Sequence, residues 1–197
     1  MRSFCLLLLL CGCAATPRIE PARYDIVPVS PMAAQSANPA LSLIEVRSPS
    51  WLVSPAMQYR LAYAPGAGRG AYADSRWVAP PAELLERALT RTLLAGPVRQ
   101  PAGGCRLILE LDELIQLFDA PRASHVLLAV RASLRAPRGN ILLAGRAFTR
   151  QAPAGADAQS AVAAYGMATS LLADDLGGWL NDLATASPGI ALSCRGG

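Results

Sequence analysis

Three stretches in the second half of the chain alternate apolar and polar side chains, and turn residues bound each of them. Arg106–Phe118 puts Leu107, Leu109, Leu111, Ile115 and Leu117 on one face of an extended strand. Ser124–Arg135 puts Val126, Leu128, Val130, Ala132 and Leu134 on one face, with His125, Arg131, Ser133 and Arg135 opposite. Asn140–Arg150 alternates less cleanly through Ile141, Leu143 and Ala147. Pro121 and Pro137-Arg138-Gly139 separate these runs, so the simplest pairing is an antiparallel meander. Upstream, Leu41–Arg47, Gln58–Tyr63 and Ala71–Trp77 read as shorter strands, with a proline-bounded loop at Ser48–Ala56 that carries Trp51. Two segments change to a helical period. One is Ala82–Ala95, started by Pro80-Pro81 and stopped at Gly96; the other opens at Asp157 and runs to about Thr185, with Gly177-Gly178 expected to kink or loosen it. The order β-β-β-α-β-β-β-α predicts an α+β fold in two layers, a mainly antiparallel sheet covered on one face by two helices.

The N-terminus departs from this pattern. Arg2 precedes an apolar run from Phe4 to Cys11, far short of the roughly 20 residues of a spanning helix. Leu10-Cys11-Gly12-Cys13 resembles the lipobox of a bacterial lipoprotein, with Cys13 as the lipid-bearing new N-terminus and residues 1–12 as the signal. A plain secretory signal cleaved after Ala14 or Ala15 is the alternative. Ala14 stands where such lipoproteins carry aspartate when retained at the inner membrane, so the expected location is the outer membrane, facing the periplasm. Residues 13–40 hold Pro17, Pro21, Pro28, Pro31 and Pro39 and read mostly as an extended tether, in which only Tyr24–Val29 could form a strand. Residues 41–197 then form one domain with a short C-terminal tail.

Composition narrows the function. All 18 basic residues are arginine; removing Arg2 leaves 17 against 14 carboxylates, with no cluster of the kind that nucleic acid requires. Beyond the signal and Cys13, two cysteines remain, Cys105 and Cys194, and an even pair in an oxidising compartment favours a disulfide over a metal site. The glycine-rich run Ala64–Gly70 lies between two short strands, so it is a turn and not a nucleotide loop. The single histidine, His125, falls mid-strand with no nucleophile elbow nearby, and Glu110, Asp112 and Glu113 read better as a solvated or partner-facing surface than as paired catalytic acids. No enzyme, cofactor or metal is expected. Tyr59, Tyr63, Tyr72 and Trp77 crowd into the middle third; core packing is their default role, while Trp51 is the ring expected to be exposed.

The order of a lipobox and short tether, a strand, Met57-Gln58-Tyr59-Arg60, an aromatic strand with Tyr72, Arg76-Trp77 and a helix started at Ala79-Pro80-Pro81 resembles the ABC-type transport auxiliary lipoproteins of the PqiC type, over about residues 24–185. The resemblance implies a non-enzymatic component that works with a mammalian-cell-entry (MCE) protein and an ABC permease and ATPase. It also implies movement of phospholipid or related hydrophobic molecules between membranes, and docking at the outer membrane, with a homo-oligomeric ring as one arrangement. Trp51, Tyr59, Arg60, Tyr72, Arg76 and Trp77 are the candidate partner-binding residues. A lipid-carrying protein with its own cavity is the main alternative, and an envelope hydrolase using Glu110–Glu113 a weaker one.

Overall fold

The computed structural model describes residues 20–29, 40–66, 68–94 and 103–195. The lipobox, Cys13 and Gly96 lie outside the described residues. Seven strands, β1 (Ala22–Tyr24), β2 (Leu41–Arg47), β3 (Ala56–Leu61), β4 (Arg69–Trp77), β5 (Cys105–Ala120), β6 (Ala123–Arg135) and β7 (Leu142–Ala154), form one sheet. Three helices accompany them: α1 (Pro81–Leu93), α2 (Ala158–Ala186) and α3 (Pro188–Ser193). The fold is α+β in two layers, with α1 and α2 contributing to a single core over one face of the sheet.

The long antiparallel meander is β5–β6–β7, running from Arg106 opposite Arg135 to Ala120 opposite Ala123 and on through β7. The joins on the other side of β5 are parallel, which makes the sheet mixed. β2 pairs with the first part of β5, from Leu41–Cys105 to Arg47–Glu110, and β3 pairs with its last part, from Tyr59–Gln116 to Leu61–Phe118. Two short strands therefore share one edge of one long strand, and the loop between them, with a single 3-10 turn at Ser50–Leu52, lies at the gap.

At that gap the alternation of β5 changes phase. The pairing with β6 shifts between Leu111 and Glu113, a bulge that inserts Asp112. Before it, Leu107, Leu109 and Leu111 face the helices; after it, Leu114 and Gln116 take the register positions opposite Leu128 and Val126. Ile115 and Leu117 consequently pair with Leu127 and His125 on the other face, contrary to the uniform alternation read from the sequence.

Two further expectations change. The folded body begins within the segment read as tether: β1 runs parallel to β4, Ile26 is buried in the core, and the Val29 amide donates to Ser170 Oγ on α2 at 3.1 Å. Gly166 of α2 makes this possible, because a Cβ there would overlap the Val27 carbonyl oxygen. Secondly, α2 passes Gly177-Gly178 as one unbroken helix, held on both sides by buried Leu176, Trp179 and Leu180. Asp157 caps it by accepting from the Ser160 amide at 2.7 Å. The C-terminal tail forms α3, and Cys194 just after it is joined to Cys105 at the start of β5, Cα to Cα 4.7 Å. No helix among the described residues is long and apolar enough to cross a membrane.

Candidate functional site

The six candidate partner-binding residues do not share one surface. Trp77 is buried and meets Tyr165 of α2 edge-on, ring centroids 5.3 Å apart, so it belongs to the core. Arg76 is half-buried beside an irregular stretch of β4, where the register with β3 jumps from Arg76 to Ala71. Its Nη1 donates to the carbonyls of Tyr72 and Ser75, tying its side chain to the backbone of that irregular stretch.

Tyr59 and Tyr72 lie together on the helix side, near the start of α2, with centroids 5.1 Å apart and Phe118 at 5.9 Å from Tyr59. Gly70 lets the Tyr59 ring lie across β4, since a Cβ there would come within 2.6 Å of it. The Tyr72 hydroxyl donates to Gln116 Oε1 at 2.7 Å, and Gln116 Nε2 donates to Ser124 Oγ at 2.8 Å and to the Gly155 carbonyl at 2.9 Å. Burial is the main reason the Tyr72 phenol is pushed up to about 12, and complete burial raises that of Tyr165 well above its ordinary value. Tyr59, Leu61, Ala71, Tyr72, Ala73 and Phe118 line a shallow cleft of about 250 Å³.

Trp51 and Arg60 face another neighbourhood, on the side of the sheet without helices. Trp51 is 55% exposed, and its carbonyl accepts from Gln58 Nε2 at 2.8 Å. Arg69 grips Glu113 through both terminal nitrogens, at 3.0 and 2.8 Å, and also donates to Gln58 Oε1 at 2.8 Å. Arg60 approaches the same carboxylate at 3.6 Å. A notch of about 200 Å³ opens between Ser48, Pro49, Trp51, Glu110, Asp112 and Arg131, above the bulge of β5. Arg69 and Gln116 organise these two neighbourhoods, yet neither stood out in the sequence. Arg69 belongs by sequence to the glycine-rich run expected to be a turn but is the first residue of β4, and Gln116 occupies a polar position in an alternation whose phase had already shifted.

The acids singled out as a weak catalytic alternative are all engaged by guanidinium groups. Asp112 receives Arg131 through two nitrogens at 2.8 Å, Glu113 is held by Arg69, and Glu110 lies 3.8 Å from Arg47. His125 Nδ1 lies 2.8 Å from Asp119. No group of three or more metal-binding side chains occurs among the described residues.

The family model for the ABC-type transport auxiliary lipoprotein component matches residues 24–177. A crystal structure of protein XCC0632 from Xanthomonas campestris has the same fold, with a TM-score of 0.67 and 17% identity, covering 84% of this chain and 100% of that one. A second crystal structure, of an uncharacterized protein, aligns with a TM-score of 0.54 and 13% identity over 85% of this chain and 98% of its own. No curated protein matches in sequence.

Proposed function

Because the chain belongs to the family of ABC-type transport auxiliary lipoprotein components, we propose that it is lipidated on Cys13, faces the periplasm from the outer membrane, and docks an MCE protein with its ABC permease and ATPase there. The cargo of that system is phospholipid or a related hydrophobic molecule. The single observation that carries this reading is the family match, which begins at Tyr24 in the first strand, a short distance after the lipobox cysteine. Acyl chains on Cys13 anchor the domain, since each buried methylene contributes about 0.8 kcal/mol. Anchoring then concentrates the docking surface at the membrane.

The tyrosine-lined cleft is not by itself a lipid-carrying cavity. The tyrosine-lined cleft holds about 250 Å³, below the range of about 300–1,000 Å³ typical of pockets for drug-sized ligands. A two-chain lipid is larger than such ligands. Catalysis by these acids is not favoured by the geometry, because Asp112 and Glu113 are each occupied by a two-pronged guanidinium contact.

Fractionated and cross-linked envelopes test the reading. Tagged wild-type protein is expected in the outer-membrane fraction, with its precursor accumulating under globomycin, and capture is expected to recover the MCE protein. A globomycin-insensitive protein, or capture that recovers no MCE protein, refutes it.

A further inference from the structure

One end of the sheet carries an unusual row of side chains. Register places Leu43 of β2 beside Arg106 of β5, Arg106 beside Arg135 of β6, and Arg135 beside Leu142 of β7. Residues paired across neighbouring strands project to the same side, here the side without helices. Leu43, Ile141 and Leu142 are 43%, 62% and 57% exposed. Between them stand two adjacent cations. Among the described residues neither Arg106 nor Arg135 lies within ion-pair distance of a carboxylate, although Arg47, Arg60, Arg69 and Arg131 on the same face each do. Only Asn140 holds them: its Oδ1 accepts from Arg106 Nη2 at 2.6 Å, and its carbonyl accepts from Arg135 Nη1 at 3.0 Å. The Nε of each arginine is buried and has no hydrogen-bond partner. Like charges directly opposite on neighbouring strands are destabilising; Glu45 acts on Arg106 only from beyond ion-pair distance and is itself paired with Arg47, so the row has room for a further anion.

The chain outside the fold decides which kind of anion. Cys13 and Ala22 are nine residues apart, and a fully extended chain of that length spans about 30 Å. β1 is parallel to β4, β4 antiparallel to β3, and β3 parallel to β5. The chain therefore enters β1 from the end of the sheet that holds the β3–β4 and β5–β6 turns, while the arginine row occupies the opposite end. Ala22 is level with the middle of β5, and from there to Arg106 is about 21 Å along the strands at a rise of about 3.3 Å per residue, and three strand spacings of about 4.8 Å across the sheet, roughly 26 Å in all. Bringing the row to the lipid surface would take most of the reach of the tether and a reversal at Ala22. With the turn end toward the membrane, the row points into the periplasm.

We propose that the rim formed by Leu43, Arg106, Arg135, Ile141 and Leu142 docks an acidic segment of a protein partner, with apolar residues of that segment covering the exposed leucines and isoleucine. The proposal deepens the function given above and rests on its lipid anchor at Cys13 and its MCE partner. Carboxylates of the segment would form paired contacts with the two guanidinium groups, which are preorganised by Asn140.

The test measures binding of the full-length lipidated protein, in nanodiscs, to the purified periplasmic domain of the MCE protein. R106Q/R135Q is expected to weaken binding at least tenfold and to flatten its salt dependence. L142S is expected to weaken it severalfold, and R122E in the β5–β6 turn to leave it within twofold of wild type. Unfolding temperatures are compared in parallel; if R106Q/R135Q does not fold, I141S/L142S on the solvent-exposed turn replaces it. Wild-type binding that R106Q/R135Q or I141S/L142S leaves unchanged overturns the rim and spares the proposed function. Loss of binding to anionic phospholipid vesicles, with MCE binding intact, assigns the rim to a membrane surface and also overturns it. Absence of wild-type binding to the MCE domain overturns the proposed partner and the rim together.

Discussion

Gly166→Ala is the substitution whose sign depends most sharply on whether residues 25–29 belong to the fold. In an isolated helix the change is favourable by about 0.8–1 kcal/mol. Here the new methyl would overlap the Val27 carbonyl oxygen, a backbone atom, and crowd Val29. To relieve that contact the segment must lift from α2. Lifting exposes Ile26, whose burial contributes about 1.5–3 kcal/mol, and breaks the Val29 amide bond to Ser170 Oγ, a further 0.5–1.5 kcal/mol or so. Offsetting these by the helical gain leaves a net destabilisation of about 1–3.5 kcal/mol. Urea unfolding measures this directly, and hydrogen exchange should show amides 26–29 losing protection before those of β5 and β6. Gly178→Ala is the control. It lies on an exposed position of the same helix with nothing near its Cβ, so it should stabilise by about 0.5–1 kcal/mol. If Gly166→Ala also stabilises, the segment does not pack on α2 and the tether is longer than argued above.

Other expectations follow from the covalent link, the buried phenol and the exposed indole. The Cys105–Cys194 bridge closes a separation of 89 residues, which in the chain-entropy model is worth about 4.6 kcal/mol. Scanning calorimetry of C105A/C194A should therefore show the unfolding temperature falling by about 10–15 °C, and a fall under 3 °C would contradict this. Tyr72 carries its proton in both states below pH 10. With its folded value pushed up to about 12, the unfolded chain ionises first, and stability is lost as pH rises across that window. Tyr72→Phe should reduce the loss measured by urea unfolding between pH 9 and 11; an identical pH slope would refute the assignment. Trp51→Ala should change the unfolding temperature by less than 2 °C or so, since the ring is largely exposed, while removing most of the tryptophan emission accessible to acrylamide.

Much of this fold could be read from alternation and punctuation. The β2 boundaries, the proline start of α1, the Asp157 cap and the β5–β6–β7 meander all come from local patterns whose causes are local. The misreadings have tertiary causes. Ile115 and Leu117 change face because β2 and β3 share one edge of β5 and a bulge fills the change-over, with no glycine or proline to announce it. Ala22–Val29 fell within the expected tether, with only Tyr24–Val29 open as a strand, because Pro21 precedes it and Pro28 interrupts it, whereas a distant glycine in α2 makes room for it. Gly177-Gly178 kept its helix because packing outweighs the roughly 1 kcal/mol per glycine that propensity costs. The candidate site was legible as residue types and not as a surface. Tyr59, Tyr72, Arg76, Trp77, Trp51 and Arg60 divide among a cleft, a bulge, the core and the helix-free face, and only strand register separates them.

The central claim is that this protein contributes an anchored docking point, not a carrier or a catalyst. Measuring phospholipid movement between the membranes of a strain lacking the gene, complemented with wild type or with Cys13→Ala exported by a cleavable secretory signal, tests it most directly. Wild type is expected to restore movement, and the unanchored domain, though folded and able to bind the MCE protein, is expected not to. Full restoration by the Cys13→Ala protein at the same periplasmic level would contradict it.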